Sequence, residues 1–133
     1  MKVEALDHVN IITDRLEETA QWYAAILGLA RRDGPPPLTP QTAQWMHDAD
    51  GRAIVHINSA DCARTYDREV QPGALTGALH HVALKMTGYE EMKARLDAAG
   101  ADYQENLVAA INLRQIFTAD PNNVLLELNF FAG

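Results

Sequence analysis

Between residues 5 and 12 the chain runs Ala5-Leu6-Asp7-His8-Val9-Asn10-Ile11-Ile12, and its Val and Ile content with near alternation predicts a β-strand. Leu16, Ala20, Tyr23 and Leu27 then recur at helical spacing, a stripe that reads as core packing. Thr13 or Asp14 is the expected cap, Glu17 and Glu18 suit the positive end of the helix dipole, and Gly28 supplies a stop. A second strand begins in Leu29-Ala30-Arg31-Arg32. Residues 33–42 carry four prolines and predict a surface loop. Residues 43–48 and 52–58 predict two further strands, joined by a hairpin turn over 48–51.

The order then returns. Leu79-His80-His81-Val82-Ala83-Leu84 answers Leu6-Asp7-His8-Val9-Asn10-Ile11, and Leu125-Leu126-Glu127-Leu128-Asn129 answers Ile54-Val55-His56-Ile57-Asn58. The offset is 73 residues at the first landmark and 71 at the last. Within the second copy the pattern predicts a strand over 78–85, a helix over 89–99 capped by Thr87 or Gly88 and ended by Gly100, and strands over 103–107, 113–118 and 124–130. Asp120-Pro121-Asn122-Asn123 is the expected turn between the last two. Two half-length modules of one plan therefore make up the chain: a first βαβββ module over 1–60, a polar linker over 61–77 with Pro72-Gly73 and Gly77 as breakers, and a second βαβββ module over 78–133. The fold class expected is α+β.

Composition narrows the function. A chain of 133 residues with 47% hydrophobic and 22% charged residues builds a true core. The net charge is −7 and the Lys and Arg residues are scattered, which excludes a nucleic-acid surface or an anionic membrane partner. Cys62 is the sole cysteine, so no intrachain disulfide forms and a reducing compartment suits it. No apolar run approaches the roughly 18–20 residues that span a bilayer, and the first residues lack a signal peptide's apolar region. The expected location is the cytoplasm.

The repeat also carries the chemistry. Superposing the copies sets His8 on His81 and His56 on Glu127, four metal-competent side chains at matching places in matching strands. Imidazole nitrogen and carboxylate oxygen suit a divalent first-row metal, and four such groups from four strands converge if the modules fold against each other. Glu127 lies in an otherwise apolar strand, where an uncompensated carboxylate is costly and calls for a cation or a metal. Taken singly, each histidine reads as a hydrogen-bonded core residue; the joint placement is what points to a site. His47 and His80 have no ligand counterpart and read as structural or exposed. Trp45, Tyr103, Arg114, Gln115 and Phe117 are candidate lining residues, Arg114 as a cation for a substrate carboxylate.

These features resemble the vicinal oxygen chelate superfamily, which includes glyoxalase I, methylmalonyl-CoA epimerase, extradiol dioxygenases and the fosfomycin and bleomycin resistance proteins. The residues that carry the resemblance are Leu6-Asp7-His8-Val9, Leu79-His80-His81-Val82, and the segment from Thr118-Ala119-Asp120-Pro121 through Glu127-Leu128. It covers essentially the whole chain, more loosely over 30–77. It implies two modules pairing into curled mixed sheets around a metal-binding cleft, with metal ligands at His8, His56, His81 and Glu127. It also implies a homodimer, in agreement with the apolar sheet surface and open edges such modules leave. The chain departs from glyoxalase I at His56, where that enzyme carries a glutamate. Extradiol dioxygenases and fosfomycin transferases use two histidines and one glutamate, a set that His8, His81 and Glu127 supply.

The leading expectation is a glyoxalase-like lyase or isomerase, in which a divalent metal (Zn, Ni, Co, Mn or Fe(II)) holds adjacent oxygens of a small substrate and Glu127 is both ligand and proton carrier. The alternatives are a small ferrous extradiol-type dioxygenase and a non-catalytic protein that sequesters an antibiotic-like ligand. The three histidines at ligand positions count against sequestration, which needs no metal.

Overall fold

The computed structural model describes residues 1, 2, 4–63 and 80–131, and the chain divides into two compact units, 1–72 and 73–133. In the first, strand β1 (Val9–Ile12) leads to helix α1 (Leu16–Leu27), then to β2 (Ala30–Asp33), β3 (Ala43–His47) and β4 (Ala53–Asn58). The second repeats the order: β5 (Val82–Lys85), α2 (Tyr89–Ala98), β6 (Tyr103–Val108), a single 3₁₀ turn over Ala109–Ile111, β7 (Leu113–Ala119) and β8 (Leu125–Phe131). Each unit holds one mixed four-stranded sheet, in the orders β1-β4-β3-β2 and β5-β8-β7-β6, whose first pair is parallel and the others antiparallel. The α+β class and the strand, helix, three-strand plan are as the hydrophobic pattern predicts, with two α-helices among the described residues.

Two boundaries differ. The first strand was expected from residue 5, yet ordered pairing starts at Val9. Pairing with the parallel strand β4 begins at Val9 with Val55, two residues inside β4, and Leu6, 75% exposed, buries nothing that would hold the chain to the sheet earlier. Residues 78 and 79 of the other expected strand lie outside the described residues, as does most of the predicted linker. The second difference is the cap of α1. The helix starts after Arg15, and no side chain caps it. Thr13 is held in the sheet by its N–H to the Asn58 carbonyl at 2.9 Å, and its hydroxyl accepts the Arg15 N–H at 3.0 Å, one step short of the helix.

In each unit the helix packs on one sheet face, and the opposite, open face carries no helix among the described residues. Alternation along the strands sends every second side chain to the helix. Val55, Ile57 and Met46 are buried with Ala20 and Tyr23 in the first unit, and Leu126, Leu128, Phe130 and Ile116 with Met92 and Leu96 in the second. Full burial of such a side chain contributes about 1.5–3 kcal/mol, so these rows set which face is hidden and which remains for chemistry. The repeat extends to fine detail. The Asp48 carboxylate accepts the N–H groups of Asp50 and Arg52, and Asp120 in the same way accepts those of Asn122 and Val124. Asn123, with φ at 62°, fills the left-handed position that Gly51 fills in the first copy.

On the helix side of the first sheet, Arg31 clamps β2 to α1. Its two terminal nitrogens grip both oxygens of Glu17, one at 3.0 Å and the other in a shorter contact, and its Nε donates to Gln44 at 2.7 Å. The Arg31 hydrogen bond holds the Glu17 carboxyl below its ordinary 4.5. A depressed carboxyl binds fewer protons folded than unfolded, so its stabilisation is full above about 4.5 and is lost as pH falls through the lower folded value. Glu17→Gln should therefore flatten the acid limb: between pH 4.5 and 3 the urea midpoint should fall less in the variant than in the parent. Parallel loss in the two proteins would refute the clamp as a source of acid sensitivity.

Candidate functional site

The open face of the first sheet carries His8, Asn10, Trp45, His56 and Asn58, brought together on that face by register. Asn10 aligns with His56, Trp45 lies opposite His56, and Ala43 lies opposite Asn58. His8 sits one residue ahead of β1 and stacks on His56, ring centres 3.9 Å apart and planes 11° from parallel. The other face of His56 is covered by Trp45, again at 3.9 Å and 7°. Burial, and next the neighbouring His8, push the His56 imidazole below its ordinary 6.5 and favour the neutral ring with a free lone pair. The Nδ1 of His8 bonds the Asp7 carboxylate at 2.5 Å. That partner takes the proton-bearing nitrogen and leaves Nε2 as the lone-pair atom.

The open face of the second sheet carries the matching pair. Glu127 on β8 aligns with Ala83 on β5 and lies opposite Phe117 on β7. His81, one residue ahead of β5, directs Nε2 to within 3.9 Å of Glu127 Oε1. Its Nδ1 meets Nδ1 of His80 at 2.9 Å, so one of those two nitrogens donates and the other accepts. Here too Nδ1 is occupied and Nε2 faces the carboxylate. Glu127 is less than one-fifth exposed, and its Oε2 accepts a hydrogen bond from Asn129 Nδ2 at 2.9 Å.

The four sequence-predicted donors thus form two pairs, His8 with His56 and His81 with Glu127, each on the open face of its own sheet. Among the described residues, no cluster of three or more His, Cys, Asp or Glu is arranged to hold a metal ion. The donor chemistry nonetheless fits a divalent first-row metal. Two imidazoles have Nδ1 engaged by a neighbour, an arrangement that orients a metal-binding histidine through Nε2 when Nδ1 is the donor, and one carboxylate has a single oxygen held. Two ligands of one metal at about 2.0–2.2 Å from it stand roughly 3–4 Å apart, which the 3.9 Å between His81 and Glu127 matches. His56 fits less directly. An imidazole lone pair lies in the ring plane, and two nearly parallel rings 3.9 Å apart do not aim at a common point.

The candidate lining residues divide by face. Trp45 and Phe117 share the open faces with His56 and Glu127, and so does Gln115. Tyr103 and Arg114 do not. Tyr103 lies opposite Thr118 on the helix side of β7, where its hydroxyl donates to Asp97 at 2.7 Å. Arg114 alternates with Gln115 and also takes the helix side, its guanidinium 5.0 Å over the Tyr89 ring and 3.5 Å from Glu90, with 58% of the side chain exposed. Neither is carried forward as a substrate contact. A cleft of about 660 Å³ in the first unit, lined by Thr13, Glu17, Arg31, Asp33 and Gln44 among others, also opens on the helix side. There Arg31, Glu17, Gln44 and Asp33 are bonded to one another.

Sequence reasoning missed Asp7, the partner role of His80, and Asn129. Asp7 and His80 stand at equivalent repeat positions, each just before a ligand-type histidine and each on its Nδ1. Asn58 and Asn129 are likewise equivalent, two residues beyond His56 and Glu127. The signal lay in the repeat itself, at positions where a polar type recurs, identical in Asn58 and Asn129 and different in Asp7 and His80.

Comparison with solved structures returns the same architecture. A glyoxalase/dioxygenase from Nostoc punctiforme superposes with a TM-score of 0.72 at 15% identity, over 97% of this chain and 92% of the other. A fosfomycin resistance protein from Listeria monocytogenes gives 0.65 at 18% identity over 98% and 96%. A glyoxylase/bleomycin resistance protein/dioxygenase domain from Frankia gives 0.66 at 18% over 98% and 94%. These likenesses show the fold. Among curated proteins the sequence finds no match. The family model for the Glyoxalase/Bleomycin resistance protein/Dioxygenase superfamily matches residues 5–128, and the chain belongs to that superfamily.

Proposed function

We propose that the protein is a metal-dependent lyase or isomerase of the glyoxalase kind, acting on a small substrate that offers two adjacent oxygens, with His8, His81 and Glu127 as the metal-holding residues. The observation that carries this reading is that both histidines have Nδ1 engaged, His8 by Asp7 and His81 by His80, while His81 turns Nε2 toward Glu127 Oε1 at 3.9 Å. A divalent metal at such residues supplies Lewis-acid stabilisation of an oxyanion on the substrate. The rest falls to the chain. Glu127, anchored through Oε2, keeps Oε1 to hold the metal or to move a substrate proton. His56, neutral and pinned between His8 and Trp45, backs the His8 ring and forms an aromatic wall. The proposal includes a cytoplasmic homodimer, with ligands drawn from one chain or from two.

A ferrous dioxygenase is the second reading, favoured by one specific feature: with His56 stacked aside, the remaining donors are two histidines and one carboxylate, the set that non-haem iron oxygenases use. Metal analysis of protein purified without a histidine tag separates the readings. Zinc, nickel, cobalt or manganese is the expected result. Iron with loss of activity in air selects the dioxygenase. Failure to retain or take up any divalent metal overturns both and leaves a metal-free binding role.

A further inference from the structure

The open face of the second sheet carries three amide side chains in a single row. Gln115 on β7 lies directly opposite Asn106 on β6 and directly opposite Asn129 on β8. Each reaches the next. Asn106 Nδ2 donates to Gln115 Oε1 at 2.8 Å, Gln115 Nε2 donates to Asn129 Oδ1 at 3.0 Å, and Asn129 Nδ2 donates to Glu127 Oε2 at 2.9 Å. The carboxylate at the end dictates the sense of the whole chain. An ionised carboxylate only accepts, so Asn129 must present its NH₂ group to Glu127. Its carbonyl oxygen then faces Gln115, which must present NH₂ in turn, and the same logic sets Asn106. Every amide dipole therefore points its donor end toward Glu127, and linked bonds of one sense reinforce each other.

The first unit shows what the row is for. There Asn58 stands where Asn129 does, but its strand neighbour is Ala43 in place of Gln115, and Asn58 donates instead to Asn10 across β1. The residue two positions before it is His56, which Trp45 holds by stacking. The copy that bears the carboxylate has the amide row; the copy that bears an imidazole does not.

We infer that Asn106, Gln115 and Asn129 are positioning residues: they lock the Glu127 side chain in one orientation by holding Oε2, and so reserve Oε1, the oxygen that faces His81, for the metal. The role in metal binding rests on the proposal that Glu127 is a ligand, whereas the directional row itself does not. Gln115, only 9% exposed, is the structural middle of the row, while Asn129 alone touches Glu127. A role in positioning and a role in stability therefore predict different orders of effect. Outer partners of metal ligands typically affect affinity about 10–100-fold. The affinity for Co(II) should fall by that range in Asn129→Leu, by several-fold in Gln115→Met and least in Asn106→Ala. Thermal stability should instead fall most in Gln115→Met if burial of the unpaired neighbours dominates.

The experiment titrates the 133-residue chain with Co(II), follows visible absorption, and records the Asn129 side-chain amide resonances of the metal-free protein by NMR. The expected result is the affinity order above, with the Asn129 amide resonances displaced in Gln115→Met although its backbone spectrum stays folded. Asn106→Ala, at the exposed end of the row, keeps the test alive if a buried variant does not fold, because it too should shift the Gln115 and Asn129 amides. Parent protein that binds Co(II) with all variants within twofold of it overturns the positioning role and leaves the metal reading intact. Parent protein that does not bind Co(II) overturns the metal reading, and amide resonances unmoved by Gln115→Met and Asn106→Ala overturn the row itself.

Discussion

Glu127→Gln should lower the affinity for a divalent metal by more than about a hundredfold, since loss of an outer partner alone costs about 10–100-fold and this change removes the charge from a donor itself. The side chain is held where neither its shape nor its neighbours need alter. A glutamine keeps the volume and an oxygen for the Asn129 hydrogen bond, so the thermal melt of the metal-free variant should stay close to that of the parent. With its one oxygen held by Asn129, the amide turns its NH₂ group to His81 Nε2, a group that is a poorer ligand than a carboxylate oxygen and carries no proton between positions. Spectroscopic titration with Co(II), alongside turnover once a substrate is in hand, measures both effects. An unchanged cobalt affinity would remove Glu127 from the ligand set and with it the proposed reaction.

The neighbouring residue should give the opposite outcome. Leu128→Ala is expected to destabilise the protein by about 2–5 kcal/mol, the range for truncating a fully buried leucine. Leu128 is wholly buried on an inner strand of the second sheet, aligned with Leu84 and opposite Ile116. Truncation leaves a cavity that those side chains fill only in part. Urea or thermal unfolding by circular dichroism reads the loss directly, and a change under about 1 kcal/mol, well short of the truncation range, would mean that the two layers are not packed through this residue. Metal affinity measured below the transition should change little, because Leu128 points away from the face that bears Glu127. One step along β8 therefore separates a proposed metal ligand from a core residue.

That alternation is also why the fold was legible in the sequence. A strand has a side-chain period of two and a helix one of 3.6, so the spacing of Leu126, Leu128 and Phe130, or of Leu16, Ala20, Tyr23 and Leu27, reports directly on which face is buried. The internal repeat adds a second reading of the same plan. Through it, His8, His56, His81 and Glu127 emerge as equivalent positions with no structure in hand. Boundaries were less legible, since the start of β1 depends on where pairing with β4 sets in, a contact between residues far apart in the chain.

Only the tertiary structure decided what the candidate residues touch. Arg114 and Tyr103 looked suited to a pocket by type, but strand alternation and antiparallel register put both on the helix side, where Glu90, Tyr89 and Asp97 occupy them. Trp45 and Phe117 went to the open faces by the same rule. The stacking of His56 between two rings, the hold of Asp7 and His80 on Nδ1, and the amide row behind Glu127 depend on side chains that meet across strands. Periodicity along the chain encodes the face a residue takes, because local backbone geometry sets it. It does not encode the partner across the ladder, because register is chosen by the packing of the whole sheet.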